Sequence, residues 1–457
     1  MNRTWCKEHG VRMIDVRTKI LVNEYNPWWD GQIINVPEFK RHVFTEMKKY
    51  IRTKQIIAIV GLRRVGKTVL MKQIIKELAD MDNKNVFYFL FDELLVQKPE
   101  ILEDIIEYYL KNISGTGQKY IFLDEIQKVP YWQDVLKRLY DARDDLKFFV
   151  SGSASLQIKK SKESLAGRIF DFHLPVLTFR EFLEMNGIVI DKVTLDQNDL
   201  YNVYNKNLHK ASSLDRMFSN YVLRGAFPEI SKEGDETIVK NYIKSSLIDK
   251  MIMYDIPAIF EVRRKDILFS ILEYCSRETS NLIDISNLAK MFGTDYQTIR
   301  SYIFYLINSF IIDLSYNYSK STARQLRKNK KIYIAHPSIS MTMSKYSQDV
   351  LNVSEVMGKY AESIAFQHAK ILNEKISFWR TPQKEEIDII LENENLLPIE
   401  VKYKNNPDIS EVSNVIKFMK KHECKIGFVL TRDLFKEHEF DGNKILFIPL
   451  WLFLLAV

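Results

Sequence analysis

The spacing of apolar positions changes period several times along the chain, and each change marks an element. Short continuous apolar runs at 56–60, 86–91, 120–123 and 147–150 read as strands buried on both faces. Between them, 67–79, 100–112 and 132–142 carry apolar residues at helical spacing, so strand and helix alternate and predict a parallel sheet. From Ile188 to Arg216 the periodicity is lost and Asp, Asn and Lys predominate, which reads as an insertion or hinge. Helical spacing resumes through Tyr254. The segment 284–292, a turn at Gly293 and the segment 295–306 then have the pattern of a helix-turn-helix, with Asp295 as a helix cap. Strands are expected at 311–318 and 331–334. Beyond Gly358 a helix is followed by a strand ending at Phe378-Trp379-Arg380 and by a hairpin of 386–391 with 397–403. The apolar tail Ile445–Val457 is broken by Pro449 and falls short of the ~20 residues that span a bilayer, so it predicts a buried strand and a closing helix, with no membrane partner.

Composition sets the scale. A chain of 457 residues exceeds one core and suggests about three domains. With 46% hydrophobic and 27% charged residues it has the balance of a globular protein. A net charge of +7 permits an anionic partner without demonstrating one. Cys6, Cys275 and Cys424 lie far apart, which indicates neither a disulfide framework nor a zinc site and fits a cytoplasmic location. The charged opening, Met1 to Tyr25, lacks the apolar core of a signal peptide. Asn26-Pro27-Trp28-Trp29 reads either as an aromatic plug at a domain edge or as core packing.

The strongest chemical signal is Gly61-Leu62-Arg63-Arg64-Val65-Gly66-Lys67-Thr68, between a buried strand and a helix. This is the phosphate-binding P-loop pattern: backbone N–H groups surround phosphate oxygens, Lys67 neutralises charge, and the Thr68 hydroxyl reaches Mg²⁺. The expected ATP or ADP contacts are Gly61, Arg63, Arg64, Val65, Gly66, Lys67, Thr68 and Val69. The third strand ends in Asp124-Glu125, the Walker B form, with Asp124 beside the metal and Glu125 as the base that activates water. The fourth strand ends in Ser151-Gly152-Ser153, where Ser151 and Ser153 are candidates for sensing nucleotide or for capping a helix.

The blocks NPWW, GLRRVGKT, IFLDEIQKVPYWQDVLKRLYD, VSGSASL, SLAGR and LTFREFLE together resemble an archaeal and bacterial family of AAA+-like P-loop ATPases of mostly unassigned function. Tyr221–Glu229 is similar to that family's GGFPE block, with Ala226 in place of a glycine. The resemblance implies an arginine acting on the γ-phosphate, in many cases from a neighbouring subunit. Arg168 is the candidate, in trans only if the protein is a homo-oligomer; a structural salt bridge is the other reading.

Lys320, Arg324, Arg327, Lys328 and Lys330, between the two strands after the helix-turn-helix, give a winged helix with a basic wing, which contacts DNA or RNA phosphates or merely joins domains. In the last segment Asp388 precedes Glu400 by a hairpin's length, and Glu400 and Lys402 share one strand face. This is the PD-(D/E)XK nuclease constellation: Asp388, Glu400 and Glu362 would hold Mg²⁺ or Mn²⁺, and Lys402 would polarise water. The family resemblance implies the same nuclease-like domain. The expectation is an α/β chain: a lead-in over 1–37, a P-loop ATPase domain with a helical lid over 38–230, a helical and winged-helix domain over 231–340, and a restriction-endonuclease-like domain over 350–457. It would hydrolyse ATP with Mg²⁺ and act on, or be regulated by, nucleic acid. The alternative is a nucleotide-gated switch whose last modules bind without cutting.

Overall fold

The computed structural model describes residues 14–91, 100–153, 165–321, 323, 325, 328–344, 348–373 and 375–457. Arg324 and Arg327 lie outside them. The described chain divides into two compact units, one of residues up to Gly61 with Gly66–Leu174, the other of Leu62–Val65 with Pro175–Val457. The division at Leu174 precedes the expected domain end at 230, because the segment 175–230 packs into the core of the second unit.

The first unit is built on five parallel strands, β1 (Ile56–Val60), β2 (Val86–Leu90), β3 (Lys119–Asp124), β4 (Leu146–Gly152) and β5 (Ile169–His173), in the order β2-β3-β4-β1-β5. β4 lies between the P-loop strand and the Walker B strand, so its polar tip adjoins both. Helices at Lys67–Ala79, Ile101–Asn112 and Trp132–Ala142 connect the strands. Ile101–Asn112 buries Leu102, Ile105, Ile106 and Tyr109, one helical stripe.

The free edge of β2 is covered by Asn26–Trp29. The Asn26 amide donates to the Tyr88 carbonyl at 2.8 Å and accepts the Tyr88 N–H at 2.7 Å, replacing a neighbouring strand. Both indole N–H groups, of Trp28 and Trp29, donate to the Val86 carbonyl. Trp29 also stacks on Tyr109 with centroids 5.7 Å apart. The motif therefore plugs a sheet edge and packs the core at once, which protects an otherwise unpaired strand.

The second unit is organised by a mixed sheet of nine strands. They are β6 (Leu282–Ile283), β7 (Ile312–Asn317), β8 (Lys330–Ile334), β9 (Ile376–Arg380), β10 (Glu386–Glu392), β11 (Leu396–Val401), β12 (Ile426–Thr431), β13 (Lys436–Phe440) and β14 (Asn443–Pro449). Their order is β13-β14-β12-β11-β10-β9-β7-β8-β6. Strands β7 and β8 thus continue into the C-terminal strands through a parallel β7–β9 pairing, Tyr316 opposite Ser377. Helices Ile285–Met291 and Tyr296–Asn308 form the helix-turn-helix, with Asp284 and Asp295 as caps and Gly293 at φ 60° in the turn.

The stretch read as an insertion folds instead as helices, Gln197–Asn207 and Ala211–Arg224. Asp196 caps the first by accepting from the N–H groups of Asn198 and Asp199. Leu200, Val203, Leu214, Phe218, Tyr221 and Val222 form the buried stripe, and apart from Asn207 the polar residues of the two helices lie outside it. The tail forms β14 and the helix Leu450–Leu454, wholly buried, with Trp451 stacked on Tyr204. Among the described residues no helix is long and apolar enough to cross a membrane.

Candidate functional site

In the first unit, Gly66 has φ 100°, a left-handed conformation that strains any residue with a Cβ, and it starts the helix Lys67–Ala79. A helix N-terminus favours an anion. Lys67 is buried, and its ammonium donates to the Gly61 carbonyl at 3.1 Å. The Thr68 hydroxyl donates to Asp124 Oδ2 at 2.6 Å. Val69 is half-buried on the first helical turn.

Asp124 is fully buried at the end of β3 and gathers hydroxyls: Thr68 and Tyr88 on Oδ2, the latter at 2.9 Å, and Ser151 on Oδ1. Burial, then the Asp124 charge, push the Tyr88 phenol well above its usual range, so Tyr88 remains a donor. Glu125 adopts φ 55°, a left-handed position rare for its type, and its N–H donates to Ser151 Oγ at 3.1 Å. Gln127, on the turn Ile126–Lys128, donates its amide to the Glu125 carboxylate and, at 3.4 Å, to Ser153 Oγ. Ser151 thus bonds to the Walker B residues directly and Ser153 through Gln127.

Arg168 makes a bidentate pair with Asp141, at 2.8 and 3.1 Å, the geometry of a structural salt bridge. Leu62–Val65 group with the second unit. There Arg63 lies 3.2 and 3.1 Å from the two oxygens of Asp255, Arg64 is 3.5 Å from Glu229 with φ 70°, and Val65 is fully buried.

The C-terminal candidates also converge, around a residue absent from the expected set. Lys331, on β8, places its ammonium 2.8 Å from Glu362 Oε1, 2.7 Å from Glu386 Oε1 and 3.0 Å from Asp388 Oδ1. Its side chain is 3% exposed. Tyr333, two positions along the same strand face, donates to Glu362 Oε1 at 2.8 Å. Asp388 Oδ2 accepts the Val401 N–H at 3.0 Å, and Lys402 donates to Glu400 Oε1 at 2.6 Å. Burial pulls the Lys331 ammonium down, but Glu362, Tyr333, Asp388 and Glu386 outweigh it and hold the group well above the usual lysine value. Burial, then the Asp388 charge, push Glu362 up to about 7 and Glu400 up to about 8. Glu400 Oε2 is buried without a hydrogen-bond partner.

Residues 53–183 match the family model of the AAA domain. The match supports, at the level of that family, a nucleotide-binding P-loop reading of the segment. Residues 215–350 and 357–453 match two further families, each described as a domain of unknown function. An uncharacterized protein of Methanocaldococcus jannaschii is 26% identical over 416 residues, covering 87% of this chain and 87% of the relative. An uncharacterized protein of Haemophilus influenzae is 22% identical over 423 residues, covering 90% and 98%. Solved structures overlap more loosely. Cdc6p from Pyrobaculum aerophilum gives a TM-score of 0.28 at 11% identity, covering 70% of this chain and 97% of that one. A signal-transduction ATPase with a tetratricopeptide repeat sensor from Pyrococcus horikoshii gives 0.26 at 10%, covering 76% and 46%. Likeness at that level carries no argument about what this chain does.

The P-loop donors fit their ligands. Thr68 and Asp124 present hard oxygens side by side, the set that would hold Mg²⁺, and Lys67 with the helix N-terminus would hold the phosphates. Bound Mg²⁺ would supply charge neutralisation at the transferred phosphoryl group. The C-terminal donors do not fit a metal in the same way, because a cation, the Lys331 ammonium, already sits among the Glu362, Glu386 and Asp388 oxygens, whereas neutral hydroxyls occupy Asp124; Glu400 Oε2 has no partner. Among the described residues no three His, Cys, Asp or Glu side chains are arranged to hold a metal ion.

Proposed function

We propose that this protein is a Mg²⁺-dependent ATP-binding and hydrolysing switch. The reading is carried by the 2.6 Å hydrogen bond between Thr68 and Asp124, which joins the two halves of the motif across 56 residues of sequence. Lys67 and the loop N–H groups bind the phosphates, Asp124 and Thr68 hold the metal, and Glu125, oriented by Gln127, takes the proton of the attacking water. The test uses the full chain with Mg²⁺ and a fluorescent ATP analogue. Lys67→Ala is expected to weaken nucleotide binding at least tenfold and to remove phosphate release; unchanged hydrolysis would sink the assignment.

Nucleic acid is the partner this reading favours for the wing, since Lys320 and Lys328 are exposed beside β7 and β8. Binding of duplex and single-stranded DNA and of RNA should weaken steeply with salt. Lys320→Glu with Lys328→Glu should lower affinity across sequences and flatten the salt slope by about one unit for each phosphate no longer neutralised. An unchanged slope removes the wing from the interface. For the C-terminal segment the Lys331 ion pairs favour a module that binds without cutting over a metal-dependent nuclease. Plasmid nicking by wild type with Mg²⁺ or Mn²⁺, abolished by Asp388→Ala or Lys402→Ala, would reverse that preference.

A further inference from the structure

Lys331 comes from the wing, whereas Glu362, Glu386 and Asp388 come from the segment that follows it, so the cluster exists only because the two segments share a sheet. β8 is held on both sides, with Lys331 opposite Leu282 of β6 and Ser315 of β7, which fixes the position of the side chain along the strand. The ammonium has three donors, and each faces a carboxylate oxygen at 2.7 to 3.0 Å. The Phe378 ring, its centroid 5.8 Å from Nζ, lies against the site, and little water reaches it.

We propose that Lys331 is the resident cation of this cluster, occupying electrostatically the place a divalent metal would take and so closing the C-terminal site from the wing. The proposal rests on the non-cutting reading of this segment and is independent of ATP hydrolysis. A metal bound to Asp388 and Glu362 would sit ~2.0–2.6 Å from their oxygens. It would then lie within a few ångströms of an ammonium that bonds to the same atoms, in a poorly solvated setting where like charges repel strongly. One cation excludes the other. Metal uptake would therefore require the Lys331 side chain to withdraw from the carboxylates.

The experiment titrates Mn²⁺ into nucleotide-free full chain, following the free ion by electron paramagnetic resonance. It compares wild type, Asp388→Asn, Lys331→Met and Lys331→Met with Asp388→Asn, and only the Asp388-dependent part of binding counts. Wild type is expected to show none up to millimolar Mn²⁺. Lys331→Met is expected to gain a site at least tenfold tighter, which Asp388→Asn removes. Asp388-dependent binding by wild type, or no gain on Lys331→Met, overturns the proposal. If Lys331→Met does not fold, Lys331→Met with Glu386→Gln, which deletes one of the carboxylates left without a partner, carries the same comparison. Nicking assays on the same samples separate the two ideas: wild type that binds Mn²⁺ without cutting overturns Lys331 as resident cation and leaves the non-cutting reading standing.

Discussion

Glu125→Gln is expected to lower ATP turnover by about two to four orders of magnitude while ATP binding is retained, the loss that follows when a positioned base is removed. The substitution changes one oxygen to an amide and leaves the shape alone. The left-handed backbone at Glu125 and the bond from its N–H to Ser151 persist, because neither uses the carboxylate. Asp124, with its hydroxyls from Thr68, Tyr88 and Ser151, is untouched, so the metal side of the site is preserved. Only the proton acceptor goes. Steady-state phosphate release measures turnover, and a fluorescent ATP analogue measures binding. Gln127→Ala should slow turnover less, because it removes a positioning group and leaves the base. Turnover within twofold of wild type in Glu125→Gln would show that the water is activated elsewhere.

The parts of this site that were legible in the sequence are those whose chemistry is local. Gly66, Lys67 and Thr68 are consecutive at a strand-to-helix turn, and the apolar runs on either side place them with almost no dependence on the rest of the chain. β1 and the helices Lys67–Ala79 and Trp132–Ala142 lie at the spans their periodicity predicts. Tyr88 and Gln127 were not legible. Tyr88 reaches Asp124 only because β2 neighbours β3, and strand order is not written in an apolar run. Gln127 follows Asp-Glu by two residues, and that proximity is its only local signal.

Lys331 is the sharper case. In the sequence it merely opens the strand expected at 331–334, and a lysine in a strand is ordinarily solvated. What buries it is the pairing of β7 with β9, a strand far later in the chain, which sets Glu362, Glu386 and Asp388 around it. The polar stretch 188–216 misled for the opposite reason: its two helices bury so narrow a stripe that the wet faces dominate the composition. The hairpin carrying Asp388, Glu400 and Lys402 was legible as a hairpin, and its electrostatic surroundings were not.

The second unit should be markedly less stable in acid because of two buried histidines. His368 accepts the Phe179 N–H on Nε2 at 3.0 Å, and its Nδ1 lies 2.9 Å from the Ile364 carbonyl, so the neutral ring with its proton on Nδ1 satisfies both. His336 accepts the Ser338 N–H on Nδ1 at 3.2 Å. The Tyr221 ring stands edge-on to both. Burial, and for His336 also the nearness of His368, lower them to about 3 for His336 and about 4 for His368; the Ile364 carbonyl and Glu181 oppose the shift at His368 without reversing it. The sign follows directly. As pH falls below the ordinary histidine value near 6.5, the unfolded chain takes up protons that the folded chain refuses, so stability drops until the folded values are passed. At about 1.4 kcal/mol per unit, the pair together amounts to several kcal/mol between pH 6.5 and 3. Glu362 and Glu400, held above their usual range, act in the opposite sense, losing stability as pH rises toward 8. The readout is therefore the difference between wild type and His368→Gln in urea midpoints from pH 4 to 8. The variant is expected to be less stable at pH 8, where it loses the buried ring packed against Tyr221, and to close the gap as pH falls to 4. A constant difference across that range would show that His368 does not resist protonation in the folded chain.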